Sequence, residues 1–326
     1  MVTSKEILYL SKSDVESLNI KMEEIIEVVE EAFREKAEGR VEMPPKPGIH
    51  PQTDSFIHAM PACIFKLRAA GIKWVSGFPN NLEKGLPYIS GILILNNFET
   101  GLPISVMDCT WITAKRTGAA TAIAAKHLAR KDSKVLGILG CGVQGRSNLE
   151  ALKVVFKQLK TVKAYDISNR NLHSFVNEMT TKHGIQVVPV KSPREAVENS
   201  DIIITAGPIL KQPKPTIESS WLGYGSFACP LDFDSYWKSE AMQTVDKFCT
   251  DDREQLLYYR KQGYFNKIPQ IYADLGELVI GKKPGRESYE ERTMSMNLGL
   301  SIEDISTAML IYKKAKTKNV GKNLAL

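Results

Sequence analysis

The segment Val135–Arg146, which reads VLGILGCGVQGR, decides the fold of this chain. Its short apolar run leads into Gly140-x-Gly142-x-x-Gly145, and a helical pattern begins directly afterwards. In a dinucleotide site the first glycine permits a tight strand-to-helix turn, and the second lets the backbone approach a pyrophosphate. The third lets the helix pack closely on the sheet. The segment therefore predicts a nucleotide site, for which a glycine-rich turn in an ordinary α/β domain is the simpler alternative.

An acidic residue ends the next apolar run, VKAYD at 162–166. A carboxylate at this position binds the ribose hydroxyls of NAD and repels the 2′-phosphate of NADP, so Asp166 predicts NAD(H) as the cofactor. Val143 and Gln144 open the helix and are expected beside the pyrophosphate. Thr205 and Ala206 follow the strand pattern DIII and are expected along the cofactor at the carboxyl edge of the sheet.

The sequence on either side of this core predicts two domains. From Lys134 onward, strand and helix patterns alternate, which is typical of a doubly wound, Rossmann-type α/β fold. Before it, the range 55–108 consists of short β-branched or aromatic runs, and helical spacing occupies Met22–Ala37. A last helix, Leu300–Lys316, lies beyond the alternation and is expected to pack on the first domain. The predicted domains are residues 1–115 with 300–326, β-rich and α+β, and the Rossmann domain 116–299.

Composition is that of a globular protein without a membrane span. The 326 residues include 43 Lys+Arg and 37 Asp+Glu, and no run of 18 apolar residues occurs. The basic run 313–322 is interpreted as a solvated helix end, so neither nucleic acid nor membrane is an expected partner. The first 14 residues lack the apolar core of a signal peptide. Five cysteines without a CxxC or Cys/His cluster predict reduced thiols, a cytoplasmic location and no metal.

Four further segments, together with the glycine loop, resemble the ornithine cyclodeaminase/μ-crystallin family in that family's order. They are GIKWVSGFPNN (71–81), ETGLPISVMD (99–108), TAKRTGAATAIAAKHLARKDS (113–133) and NLGLSIEDISTA (297–308). The family includes ornithine cyclodeaminases, archaeal-type alanine dehydrogenases, ketimine reductases and hormone-binding μ-crystallins. The resemblance implies a homodimer whose N-terminal domain, joined by the C-terminal helix, binds substrate and dimerises, while the Rossmann domain binds the nucleotide.

The resemblance also implies two catalytic residues. Judged by its neighbours alone, Lys73 lies between Ile72 and Trp74 and either faces solvent or is held in a pocket. The family match places it at the lysine that meets the substrate, where it would pair with a carboxylate and exchange a proton. Arg116 matches the family's Arg-Thr pair, and its guanidinium suits a substrate carboxylate or a cofactor phosphate.

Three more positions match substrate-binding residues of the family but differ in residue type. Lys46 lies in MPPKPGIHP, where members usually have an arginine. His58 stands where ornithine-specific enzymes carry a glutamate, and it is either a proton relay or a packed core histidine. Ala228 precedes Cys-Pro where the cyclodeaminases have an aspartate that moves protons during ring closure. The loss of that carboxylate favours simple hydride addition over cyclodeamination.

Three positions match the nicotinamide side of the family's site. Asn297 and Leu298 correspond to a small polar and an apolar residue there, with Asn297 also expected beside the substrate. Tyr88 replaces a common threonine, and its role stays open.

The combined reading predicts an NAD(H)-dependent imine (ketimine) reductase or amino acid dehydrogenase. Its substrate would be a small imino or amino acid, such as pyrroline-2-carboxylate/proline or pyruvate/alanine. One alternative is an ornithine cyclodeaminase that converts ornithine to proline and ammonia. The other is a non-catalytic, μ-crystallin-like ligand-binding protein.

Overall fold

The computed structural model describes residues 6–265 and 267–326, which form two compact units. Unit 1 is Met1–Arg116 with Gly299–Leu326, and unit 2 is Thr117–Leu298. The predicted division had placed Arg116 and Gly299 with the Rossmann domain, so each boundary differs by one residue. Residues 1–5, where the predicted first domain and the stretch inspected for a signal peptide begin, lie outside the described residues. The roles assigned to the two domains stay predictions.

Elements are numbered in chain order through the described residues. The strands are β1 Glu6–Leu10, β2 Val41–Glu42, β3 Gly48–Ile49, β4 Phe56–Ile64, β5 Ala69–Gly77, β6 Ile89–Asn96, β7 Pro103–Asp108, β8 Val135–Leu139, β9 Thr161–Tyr165, β10 Gln186–Pro189, β11 Ile202–Thr205, β12 Phe227–Pro230, β13 Lys247–Thr250, β14 Ile271–Asp274, β15 Thr293–Met296 and β16 Lys322–Ala325. The helices are α1 Lys12–Ser17, α2 Met22–Ala37, α3 Thr110–Leu128, α4 Val143–Val155, α5 Asn169–His183, α6 Pro193–Val197, α7 Ser239–Met242, α8 Arg253–Lys261, α9 Leu275–Val279 and α10 Ser301–Lys318. Short 3-10 helices occupy Pro79–Lys84 and Ser219–Trp221.

Unit 1 is a mixed sheet in the order β16-β1-β7-β6-β5-β4-β2, with β3 paired to β4. Strands β4 to β7 form an antiparallel meander in which Met60 faces Lys73 and Lys73 faces Leu93. The alternation of β4 buries every second residue from His58 to Ile64, because one face of the sheet packs under α10. Helix α10 also packs on α2, so the C-terminal helix returns to the first domain as predicted.

The opposite face of this sheet is apolar and partly exposed. Trp74 on β5 lies directly opposite Ile92 on β6, and each is 45% exposed. Ile72 and Ile94 form the next cross-strand pair on the same face and are half-buried. This group of four residues is called the outer patch below.

Unit 2 confirms the predicted Rossmann fold. Its parallel sheet runs in the order β10-β9-β8-β11-β12-β15-β13-β14, so the strand order reverses between β8 and β11. In such sheets ligands bind at the carboxyl ends of the strands beside this reversal. Residue Gly140 and the segment Ala206–Gly207 follow directly on the two strands concerned. The nucleotide-binding residues predicted from the sequence therefore follow the strands at the carboxyl edge of this sheet.

Three further features concern membrane spans, thiols and metal ligands. No helix within the described ranges is long and apolar enough to cross a membrane. The five cysteines carry free thiols, with Cys63 half-buried and the others buried. In the same part of the chain no group of three or more His, Cys, Asp or Glu residues could hold a metal ion.

Candidate active site

The glycine loop of unit 2 has the geometry that its sequence requires. Gly140 has φ of +105°, and a Cβ there would overlap the carbonyl of Ala206. Gly145 lies in the first turn of α4, where a Cβ would overlap the Gly140 carbonyl. A Cβ on Gly142 would meet nothing within 4 Å, so the backbone before α4 is open to a ligand. The first three residues of α4 therefore offer N–H groups to a phosphate at this opening.

Asp166 is tied to the same loop. Its Oδ2 accepts a hydrogen bond from the Cys141 N–H at 2.8 Å, and its Oδ1 accepts one from the Ser168 N–H at 2.8 Å. The carboxylate is half-buried, and each oxygen retains a second lone pair for a donor such as a ribose hydroxyl. Asp166 thus orders the glycine loop as well as presenting a negative charge beside it.

Thr205 is fixed by a buried carboxylate that sequence reasoning did not assign. The Thr205 hydroxyl donates to Asp232 Oδ1 at 2.6 Å and accepts from Trp237 Nε1 at 3.1 Å. Asp232 Oδ2 accepts from the Gly207 N–H at 2.8 Å. Burial raises the pKa of Asp232 to about 7, although these hydrogen bonds lower it. The hydroxyl of Thr205 is therefore engaged, and so are two backbone groups beside it. The Thr205 carbonyl accepts from the Leu231 N–H at 2.9 Å, and the Ala206 N–H donates to the Leu139 carbonyl at 2.7 Å.

A buried ion cluster occupies unit 1 around Lys73. The Lys73 side chain is fully buried, which excludes the solvent-facing alternative. Its ammonium donates to Asp304 Oδ1 at 2.7 Å and to the Thr113 hydroxyl at 3.4 Å. An ammonium has three N–H donors, so one stays available for a ligand. Burial, followed by the like charge of Arg116, lowers the pKa of Lys73, which Asp304 opposes.

Arg116 lies on α3 and completes this cluster. Its Nη1 donates to Glu303 Oε2 at 2.7 Å, and its Nε lies 3.0 Å from Asp304 Oδ1. Glu303 also accepts the Leu300 N–H at 3.1 Å, which caps the start of α10. The guanidinium packs against Gly299, where φ is +79° and a Cβ would overlap Arg116. The turn into α10 is thus built around the arginine.

Lys46 and His58 border the cluster in the same unit. Lys46 is 7% exposed, and its ammonium donates to the Gly299 carbonyl at 3.2 Å. His58 stacks on Phe56 with 4.3 Å between ring centroids, and Gly48 leaves room for its imidazole. Burial, with the charges of Lys46, His50 and Lys73, lowers the pKa of His58 to about 2. His58 is therefore packed in unit 1, and its lowered pKa favours the neutral imidazole near neutral pH.

The charges of this cluster do not balance. The group contains three buried cations and two buried carboxylates, so its cations outnumber its carboxylates by one. Such an excess of buried cations suits the binding of an anionic ligand. The members are Lys46, Lys73, Arg116, Glu303 and Asp304.

The other predicted site residues are placed as follows. Ala228 on β12 is 4% exposed and belongs to an apolar cluster with Leu298, and the buried carboxylates of Asp232 and Asp251 act on the thiol of the adjacent Cys229. Asn297 follows β15, and its Oδ1 accepts from the Ser295 hydroxyl at 2.7 Å, while its Nδ2 has no hydrogen-bond partner among residues 6–265 and 267–326. Tyr88 is half-buried just before β6 in unit 1.

Sequence reasoning missed Glu303, Asp304, Thr113 and Asp232. The adjacent acids Glu303 and Asp304 read as the ordinary acidic first turn of a helix, which is common because of the helix dipole. The available signal was their position among apolar residues on a helix that is buried on nearly all sides.

Comparisons with known proteins show which family the chain belongs to. The sequence profile of the ornithine cyclodeaminase/mu-crystallin family matches residues 5–319. The alanine dehydrogenase of Archaeoglobus fulgidus is 38% identical over 330 residues, covering 98% of each chain. A solved structure of Thermococcus litoralis Delta(1)-pyrroline-2-carboxylate reductase with NADH and L-proline superposes with a TM-score of 0.90. It is 38% identical and covers 98% of this chain and 100% of that one. An archaeal alanine dehydrogenase dimer with bound NAD gives a TM-score of 0.87 at 37% identity, covering 98% of this chain and 99% of that one.

Proposed function

Because the chain belongs to the ornithine cyclodeaminase/mu-crystallin family, we propose that it reduces a small cyclic imino acid of the pyrroline-2-carboxylate type. It is an NAD(H)-dependent oxidoreductase that acts on CH–NH or CH–NH₂ groups. The observation that carries the choice of substrate is the buried cluster in unit 1, whose cations outnumber its carboxylates by one. A monocarboxylate suits that excess, whereas a cationic amino acid side chain brings a further positive charge to it.

Different residues of the chain would bind the cofactor, bind the substrate carboxylate and donate the proton. When bound, NADH supplies a hydride, and the open backbone at Gly142 with Asp166 fits its pyrophosphate and ribose. Arg116, Lys73 and Lys46 would hold the substrate carboxylate. The imine carbon accepts the hydride, the electron pair of the C=N bond moves to nitrogen, and nitrogen takes one proton. Lys73, whose pKa burial lowers, is the proposed donor of that proton, with a water molecule as the alternative.

A substrate pair that differs only in its carboxylate tests this assignment. We compare kcat/KM for 1-pyrroline-2-carboxylate with that for 1-pyrroline, which lacks the carboxylate. Charge-assisted hydrogen bonds to a buried cluster predict a preference of about 100-fold or more for the carboxylate. Lys46→Met, which leaves the proposed proton donor Lys73 in place, is expected to reduce that preference. Equal kcat/KM for the two imines in the unmodified enzyme would contradict the proposal.

Alanine dehydrogenation is a second candidate, favoured by the 38% identity to the Archaeoglobus fulgidus enzyme. Its reverse, the reductive amination of pyruvate, proceeds by hydride addition to an imine that carries one carboxylate, so the same cluster serves both. Ornithine cyclodeamination is disfavoured because Ala228 is packed among apolar residues and His58 is neutral. A silent ligand-binding protein is disfavoured because Lys73 and Arg116 are both present in the charged cluster.

We further propose that the protein is a cytoplasmic homodimer. The archaeal alanine dehydrogenase to which it is similar is a dimer, and the outer patch of unit 1 supplies an apolar surface for a second copy. Trp74→Glu is expected to give a monomer by light scattering. Leu82→Glu is the control, since Leu82 is 64% exposed on the 3-10 helix and is not one of the four patch residues. Dimers in both variants would exclude the patch as the interface.

A further inference from the structure

Asp304 is a buried carboxylate whose two oxygens have different surroundings. Its side chain is fully buried. Oδ1 accepts the Lys73 ammonium at 2.7 Å and lies 3.0 Å from Arg116 Nε. Oδ2 is buried without a hydrogen-bond partner in the part of the chain that the structure describes. The carboxylate therefore directs its hydrogen bonding toward one oxygen, which joins the two cations of the cluster.

We propose that Asp304 is a positioning residue that keeps Lys73 an oriented ammonium ready to meet substrate. This role rests on the function proposed above, since it acts through Lys73 on substrate binding and proton supply. The bond to Oδ1 directs one N–H of Lys73, and Thr113 accepts a second, so the direction of the third is set. A buried carboxylate with an unpartnered oxygen lowers stability, which is why a role in the site is expected of it.

The charge of Lys73 depends on everything packed around it. Arg116 lies on the same carboxylate and disfavours the ammonium, as burial does. Asp304 is the anion that bonds it directly. Burial raises the pKa of Cys109 to about 11, so its thiol is neutral near neutral pH and adds no charge. His58 is neutral and adds no charge. The groups that face Lys73 are Asp304 from α10, Arg116 and Thr113 from α3, Cys109 before α3 and His58 from β4.

Asp304→Asn tests the role because an amide keeps the shape of the side chain and removes its charge. A carboxylate this close to a cation shifts its titration by about one to three pH units. We therefore expect the alkaline limb of kcat/KM for 1-pyrroline-2-carboxylate to move to lower pH by about that amount. The NADH dissociation constant, followed by fluorescence, should stay unchanged. Glu35→Gln is the matched control, because Glu35 is equally buried in unit 1 but pairs with Arg40.

A second readout keeps the test independent of turnover. The NMR signal of the Lys73 side chain, assigned with Lys73→Arg, reports its protonation directly, and it should titrate at lower pH in Asp304→Asn. The inference would be overturned if the pH profile and the Lys73 titration of Asp304→Asn superimposed on those of the unmodified enzyme. It would also be overturned if Glu35→Gln showed an equal shift in these titrations. If the unmodified enzyme reduces no imine, the proposed function fails, whereas the NMR titration still decides the role of Asp304.

A charge-preserving variant covers the case in which Asp304→Asn does not fold by circular dichroism. Asp304→Glu keeps the charge on a longer side chain and moves the carboxylate. A lower kcat with an unmoved alkaline limb would support a positioning role. An unchanged kcat at every pH would overturn it.

Discussion

His58 gives a prediction whose size follows from the structure. Its pKa falls from 6.5 to about 2 on burial, so the folded protein keeps the imidazole neutral where the unfolded chain takes up a proton. The stability contribution of the neutral ring is complete above pH 6.5 and is lost as the pH falls toward 2. At pH 5 the unfolded chain gains about 2 kcal/mol from protonation at this residue.

Replacement of His58 by Gln removes that titration and keeps a polar side chain of similar size. A free energy of about 2 kcal/mol corresponds to about 4–8 °C in the melting temperature of a domain of this size. We compare the melting temperatures of the two proteins at pH 7.5 and pH 5.0 by scanning calorimetry. The melting temperature of the unmodified protein should fall by about 4–8 °C more than that of His58→Gln. His173→Gln is the control, because His173 is an exposed histidine on α5.

The result that would refute the reasoning is an equal loss of melting temperature in the unmodified protein and in His58→Gln. It would mean that His58 protonates in the folded state without cost. The interpretation of His58 as a neutral member of the site would then be wrong.

Three further predictions concern cofactor and substrate. Lys73→Met should abolish imine reduction while NADH binding measured by fluorescence survives, and loss of both would show that the lysine is structural. Asp166→Ala should weaken NADH binding by about 10- to 100-fold, since a charged hydrogen bond contributes about 1.5–3 kcal/mol. The same variant should show a smaller preference for NADH over NADPH. An unchanged preference for NADH would contradict this role of Asp166. Gly145→Ala should lower both the melting temperature and NADH affinity because its Cβ overlaps the Gly140 carbonyl, whereas Gly142→Ala should lower affinity alone. If Gly145→Ala and Gly142→Ala changed the melting temperature equally, the proposed difference between the two glycines would be wrong.

Local patterns were sufficient to predict most of the fold. The glycine loop, the β-branched or aromatic runs of residues 55–108 and the helical spacing of α2 each depend on neighbouring residues, and the structure confirms all three. Short strands without an apolar pattern were missed. Strand β15 reads TMSM and is wholly buried, while β16 reads KNLA and is wholly exposed, so neither shows alternation.

The arrangement of the candidate site was less accessible to sequence reasoning. Lys73 is flanked by apolar residues, and its sequence context did not decide between solvent and interior. Its burial depends on Asp304, which lies 231 residues away along the chain. The same holds for Lys46 and the Gly299 carbonyl, 253 residues apart. Contacts of this kind arise from tertiary packing, and the site roles of these residues stay predictions until variants are assayed.

The most direct test of the central claim is a substrate panel monitored by NADH absorbance, with ammonia release followed in parallel. The panel contains 1-pyrroline-2-carboxylate, piperideine-2-carboxylate, pyruvate with ammonia, and ornithine. We predict NADH oxidation with at least one carboxylate-bearing imine or with pyruvate and ammonia, slower turnover with NADPH, and no ammonia from ornithine. Release of ammonia and proline from ornithine, or a panel in which no imine oxidises NADH, would contradict the account.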